Sequence, residues 1–324
     1  MRKIKILNSA DWHVNLHKKK DKVPYEWQLN RYIAMFKEFR RLEQEVDVHV
    51  IAGDLFDKAP EPDDICLMLS YLNSVSIPTI IIPGNHEASK KGSTFWEYFL
   101  LENSITNPNV MIFIKNDRVK IKDYWFCMFP YTSVETKNLP DYYEGDILVT
   151  HIRGEVPPFI TEEYDFNLLR PWPLVLLGDL HFNHKYKDMN VYYPGSPVNT
   201  TFDRDDSKEY GVNIIEYEDS HYTVKPLTLN LPKLIRKTIK AGDKMTPDSF
   251  HHVLYEITGS MDELAKVEKS ALLDKKIVHK ATSSATLDFA NKGIIEELAM
   301  WLEHTKVANI PGVLATFESL GFKE

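Results

Sequence analysis

The chain is poor in cysteine, in glycine and in basic charge, and each shortage closes a class of explanation. Among 324 residues only Cys66 and Cys127 are cysteines. That excludes a disulfide framework and a cysteine-rich zinc module, and it points to a reducing compartment. No run of 18 apolar residues occurs, so no membrane span is expected. The opening Met1-Arg-Lys-Ile-Lys-Ile-Leu7 is too short and too interrupted for a signal peptide, and the expected location is the cytoplasm. Lysine and arginine (39) fall short of aspartate and glutamate (47), a net charge of −8 that argues against coating nucleic acid by bulk electrostatics. It leaves open an enzyme that meets phosphate through bound cations, because these reverse the local sign. The Gly-x-x-x-x-Gly-Lys-Ser/Thr phosphate loop is missing as well, so ATP hydrolysis is not expected of this chain.

What is present reads as alternating strands and helices. Lys3–Leu7 alternates like a strand and runs into Asn8-Ser-Ala-Asp-Trp-His13. A helix over about 25–45 places Leu29, Tyr32, Ile33, Phe36 and Phe39 on one face. A second strand at 48–52 leads into Gly53-Asp-Leu-Phe-Asp57. A helix capped by Asp63 follows Pro60 and Pro62, and a third strand at 78–82 leads into Pro83-Gly-Asn-His-Glu87. This order is an α/β signature. From residue 110 the pattern turns strand-rich (110–114, 118–122, 124–129, 146–150, 174–178, 211–217, 222–229), and Pro226 and Pro232 mark the end of a first domain. Residues 250–282 read as strand, helix, strand, and 289–322 as two amphipathic helices around Ile310-Pro311. The expected domains are 1–230, a small α+β cap at 231–288, and a C-terminal helical segment at 289–324.

Five loops that directly follow strands carry oxygen and nitrogen ligands: Asp11-Trp-His13, Gly53-Asp54, Asn85-His86, Thr150-His151 and Gly178-Asp-Leu-His181. Aspartate, asparagine and histidine together suit Mn²⁺, Fe²⁺, Zn²⁺ or Mg²⁺. Asp-x-His alone is weak, because it occurs four times here. The ordered set is strong, because open α/β sheets gather function at the carboxyl ends of strands. Three of the 13 glycines directly precede Asp54, Asn85 and Asp179, where a tight turn would aim the next side chain outward.

These blocks, in this order, resemble the calcineurin-like metallophosphoesterases. Tyr193-Pro-Gly-Ser-Pro-Val198, Phe202-Asp203 and Lys208-Glu-Tyr-Gly211 make the chain most similar to SbcD-type DNA nuclease subunits, in a compact, bacteriophage-type version. The resemblance spans roughly residues 4–217. It implies a two-sheet αββα sandwich and two divalent cations, Mn²⁺ first and Mg²⁺ next. Asp11, His13, Asp54 and His181 would hold one. Asp54, as the bridge, would hold the other with Asn85, His151 and Asp179. His86 would be the catalytic histidine that is not a ligand. The family usually has histidine where Asp179 stands, and a harder, charged ligand favours Mg²⁺ or Mn²⁺ over Zn²⁺. The family reading adds DNA as substrate, 3′-to-5′ exonuclease and single-strand or hairpin endonuclease action, an SbcC-like coiled-coil ATPase partner and a homodimer.

Other residues stay open between two roles. Trp12 reads as a wall of the site or as a base-stacking platform. Lys18, Lys19 and Lys20 read as a solvated run or as phosphate contacts, as do Lys90-Lys91 and Lys233 to Lys240. His184 reads as a substrate contact or a surface residue. Asp57 and Glu87 read as supporting carboxylates, and His49, inside a strand, as structural. The C-terminal apolar residues pack on the cap or dock a partner. Two rival functions remain at this stage: a two-metal phosphoesterase for a small or cyclic nucleotide or a phosphoprotein, and a metal-bound, non-catalytic scaffold.

Overall fold

The computed structural model describes residues 2–18, 22–88, 96, 105–134, 145–155, 161–204, 208–219, 221–278 and 293–319. Its first sheet contains β1 (Lys3–Ser9), β2 (Val48–Ala52), β3 (Thr79–Ile82), β4 (Val110–Ile112), β11 (Gly211–Glu218) and β12 (His221–Thr228), in the order β12-β11-β1-β2-β3-β4. The second contains β5 (Asp117–Ile121), β6 (Tyr124–Phe129), β7 (Ile147–His151), β8 (Leu174–Gly178), β9 (His184–Lys185) and β10 (Val191–Tyr193), in the order β5-β6-β7-β8-β10-β9. β1 to β4 run parallel, as do β6, β7, β8 and β10.

Period-two alternation explains the two layers. Ile4, Ile6, Val48, Val50, Ile80 and Ile82 of the first sheet share one buried core with Phe126, Met128, Ile147, Val149, Leu174 and Leu176 of the second. The alternate residues point outward. Leu7, Ile51 and Ile81 pack with α1 (Tyr25–Glu43) and α2 (Pro62–Leu72). Leu148, Val175 and Leu177 pack with a 3₁₀ turn at Phe166–Leu169 and with Trp172, Tyr186 and Tyr193.

Some local expectations change. Pro62 takes the first turn of α2, and Glu61, not Asp63, is the cap, paired reciprocally with Asp64. Pro226 falls within a strand, β12 at the sheet edge, where its missing N–H costs no ladder bond. The run from Lys233 is mostly a strand, β13 (Leu234–Lys240), with Leu234 and Ile235 buried; it pairs with β14 (His252–Gly259), which pairs with β15 (Leu273–Val278).

Two compact units divide the chain. One comprises 1–238, 244–255 and 270–274 and holds both large sheets; the other comprises 239–243, 256–269 and 275–324. The short α3 (Tyr131–Val134) belongs to the first unit. The second carries α4 (Met261–Ala265), α5 (Ile294–His304) and α6 (Ile310–Ser319). In α5 only Leu302 is buried, and in α6 no residue is. Among the described residues, no helix is long and apolar enough to cross a membrane.

Candidate metal centre

The loops after β1, β2, β3, β7 and β8 meet at one edge of the sandwich, and backbone bonds lace them together. Asp11 N–H donates to the Gly53 carbonyl (3.0 Å), His13 N–H to Asp54 (3.0 Å) and Val14 N–H to Leu55 (2.7 Å). His86 N–H donates to Asp54 Oδ1 (2.9 Å), and Asp179 N–H to Asp11 Oδ1 (3.1 Å). Four expected ligands sit at positive φ, Asp11 (55°), His13 (48°), Asp54 (54°) and Asp179 (100°), a conformation that non-glycine residues rarely adopt. Such strain concentrates at functional sites, where surrounding bonds over-determine it. Gly53, at φ 91°, serves its turn by conformation. Gly84 and Gly178 serve by close approach instead: a methyl on Gly178 would overlap the Ala52 carbonyl and the His151 ring.

The side chains converge. Asp54 Oδ2 lies 3.7 Å from His13 Nε2, 3.5 Å from His151 Nε2 and 4.0 Å from His86 Nε2. His13 Nε2 is 3.0 Å from His181 Nε2 and 4.0 Å from Asp11 Oδ1. His151 Nε2 is 3.0 Å from Asn85 Oδ1 and 3.9 Å from Asp179 Oδ1. Three groups of side chains lie close enough to hold an ion, Asp11-His13-His181, Asp11-Asp54-His151 and His13-Asp57-His86; Asp11 is shared by the first two and His13 by the first and third.

Hydrogen bonding tests whether these residues fit cations. His151 Nδ1 donates to the Ala52 carbonyl (2.7 Å), which turns Nε2 toward Asp54 Oδ2 and Asn85 Oδ1; a cation there would take its lone pair, and in the absence of a cation a proton holds the same place. His13 Nδ1 is buried without a hydrogen bond, 3.6 Å from Asp57 Oδ1. Acceptors facing acceptors suit a cation between them. Without one, the Asn85 amide satisfies its neighbours only when turned over to donate to Asp54 and His151. Electrostatics agrees. Burial works against charging His151, but Asp54, Asp11 and Asp179 outweigh it and lift the ring to about 10, so the pocket attracts positive charge. Burial, helped by His181 and His86, pushes His13 down to about 3 and keeps it neutral, as a ligand must be.

The structure brings Asp11, His13, Asp54, Asn85, His86, His151, Asp179 and His181 to this edge. His86 donates from Nδ1 to the Asp57 carbonyl (2.5 Å), and its ring is 36% exposed, whereas His13, Asp54 and His151 are buried. Asp57 also accepts from Asn15 (2.8 Å) and thus supports both His13 and His86. Glu87, fully buried, accepts from the amides of Asp54 (3.0 Å), Phe56 (2.8 Å) and Gly84 (2.8 Å) and ties two ligand loops together.

Two substrate-contact expectations change. Trp12 is fully buried, packs on Phe36, Phe39 and Tyr71, and donates from Nε1 to Ser9 Oγ (3.1 Å), so it is neither wall nor platform. Lys18 is also buried. Its ammonium donates to the Thr200 carbonyl (2.8 Å) and lies 3.6 Å from Asp57, so it holds the scaffold rather than an incoming phosphate. His184 packs in an aromatic cluster with Phe182, Tyr186 and Tyr193. Lys19, Lys20, Lys90 and Lys91 lie outside the described residues. One residue escaped the sequence reading. Arg153 bonds Asp179 Oδ2 through Nε (2.9 Å) and Oδ1 through Nη2 (3.4 Å). The only signal for it is its place two residues after His151.

Residues 4–205 match the family model of the calcineurin-like phosphoesterases. A probable exonuclease subunit 1 of Escherichia phage T5 is 32% identical over 313 residues, covering 94% of this chain and 93% of that protein. Two solved structures are more distant. TT1561 of Thermus thermophilus is 14% identical, covers 69% of this chain and 99% of its own, and has a TM-score of 0.39. GAP50, the anchor in the inner membrane complex of Plasmodium, is 13% identical, covers 72% and 89%, and has a TM-score of 0.45. With its ligand loops laced at the sheet edge and the family model spanning all five of them, the chain belongs to the calcineurin-like phosphoesterases.

Proposed function

We propose that this chain is the nuclease subunit of an SbcCD-like complex and hydrolyses DNA phosphodiester bonds, 3′ to 5′ on duplex ends and internally on single strands or hairpins. The observation that carries the hydrolytic part is the convergence of Asp11, His13, Asp54, Asn85, His151 and His181, acceptor to acceptor, around space for cations. The naming of the phage T5 relative as an exonuclease subunit supports DNA as the substrate and a partner as part of the assembly. When bound, two divalent cations, Mn²⁺ or Mg²⁺, supply an activated water and neutralise phosphate charge. Asp11, His13, Asp54 and His181 would hold one, and Asp54, Asn85, His151 and Asp179 the other. The protein holds the phosphate in line at the open rim. His86, oriented by the Asp57 carbonyl, presents Nε2 to the departing 3′ oxygen and gives it a proton.

The partner is an SbcC-like ATPase. The half-exposed Ile294 and Trp301 on α5 support docking through the C-terminal helices. Removing 290–324 then abolishes co-purification with that ATPase, and undiminished binding refutes the docking. The central experiment is degradation of end-labelled duplex DNA in Mn²⁺ and in Mg²⁺, with His86→Ala as control. Cleavage by wild type, lost in His86→Ala with its metal content intact, supports the reading. Hydrolysis of a small phosphodiester without DNA cleavage moves the assignment to a small-molecule phosphoesterase.

A further inference from the structure

The rim of the centre is unlike its floor. His13, Asp54 and His151 have almost no exposed side-chain surface, and the Asp179 carboxylate is 8% exposed. Among the described residues, His86 at 36% and Arg153 at 39% open to the rim. Arg153 is held from both ends. Its N–H donates to Glu163 Oε2 (3.2 Å), its carbonyl accepts from Glu163 N–H (2.9 Å), and Asp179 takes the guanidinium through Nε and Nη2. Those two bonds use one edge of the planar fork. Nη1 makes no hydrogen bond to the described residues, and a guanidinium anchored on one edge is well suited to receive a phosphate oxygen on the other.

Charge points the same way. Asp11, Asp54 and Asp179 place three carboxylates at one edge. A phosphodiester approaching that edge is repelled by every carboxylate that metal leaves unbalanced. Of these three, Asp179 is the most exposed, and Arg153 pairs with it.

We propose that Arg153 is the phosphate clamp of this site and that Asp179 is its positioning residue: the carboxylate fixes the guanidinium so that its free edge binds a non-bridging oxygen of the substrate phosphate. The clamp rests on the hydrolytic reading above and names the group that grips its substrate. It also gives Asp179 a task that a histidine at that position could not perform, since a neutral ring cannot anchor a guanidinium in this way.

The test titrates thymidine 5′-monophosphate into manganese-loaded wild type, Arg153→Ala, Arg153→Lys and Asp179→Asn, with manganese content measured alongside. Arg153→Ala should weaken nucleotide binding roughly 10- to 100-fold and raise KM for DNA more than it lowers kcat, with manganese content unchanged. Arg153→Lys should not restore binding, because a point charge cannot hold Asp179 and phosphate together. Asp179→Asn should weaken binding in the same direction with Arg153 still present. Unchanged nucleotide affinity in Arg153→Ala overturns the clamp. So does a loss of affinity that only follows a loss of manganese, which would make Arg153 a prop for a metal ligand. A wild type that carries manganese and cleaves DNA keeps the hydrolytic reading standing in either case, whereas a wild type that holds no manganese defeats both.

Discussion

At the scale of single residues, the convergence of the proposed ligands was legible because each follows a strand whose apolar alternation is plain, so chain position alone puts them at one edge. Trp12 was misread from its place in the chain. Asp11 and His13 face the centre, while Trp12 between them packs into Phe36 and Phe39. Arg153 was not legible, because its role arises from a contact 26 positions away with Asp179. Asp179 itself sets a prediction. Asp179→His exchanges a hard anionic ligand for a borderline neutral one and should raise affinity for Zn²⁺ relative to Mg²⁺ by roughly tenfold. Competitive metal titration reads this directly, and an unchanged preference means that Asp179 does not touch metal.

At the scale of elements, the support for the centre runs beneath the sheet. Trp12 donates to Ser9 Oγ, which lies 2.8 Å from His49 Nε2, and His49 Nδ1 meets Glu43 Oε1 at 3.2 Å, with Tyr71 donating to the same carboxylate oxygen (2.6 Å). This buried chain joins β1, β2, α1 and α2 under the first ligand loop. His49→Leu should cost about 2 kcal/mol in urea denaturation, because it leaves Ser9 and Glu43 short of a partner, while metal content stays as in wild type. Gly178→Ala makes the opposite split. The added methyl meets backbone and a ligand ring at once, so both are lost: about 1–3 kcal/mol of stability and much of the bound manganese, measured by melting and by elemental analysis. Strand existence was readable at this scale wherever apolar residues alternate. The short β9 and β10 were not, and β13 was hidden by its lysines, whose charge masks the buried Leu234 and Ile235.

At the scale of the whole molecule, two sheets meet through one core and bring the proposed ligands to one edge, the first sheet through Asp11, His13, Asp54 and Asn85, the second through His151, Asp179 and His181. On the proposed reading, cations held there would bridge the layers. Saturating Mn²⁺, at about 100 times its dissociation constant, should stabilise the fold by about 2.7 kcal/mol per site and raise Tm by about 5 °C or more. Chelation should reverse the shift, and a Tm indifferent to Mn²⁺ would mean that the edge holds no cation tightly. The ligands span residues 11 to 181, and none of the local segments holds a complete set. A ribosome must therefore release well over half the chain before the centre can assemble. During synthesis the emerging polypeptide is chemically silent, and hydrolytic capacity arrives in a single late event, when β8 docks beside β7 and delivers His181.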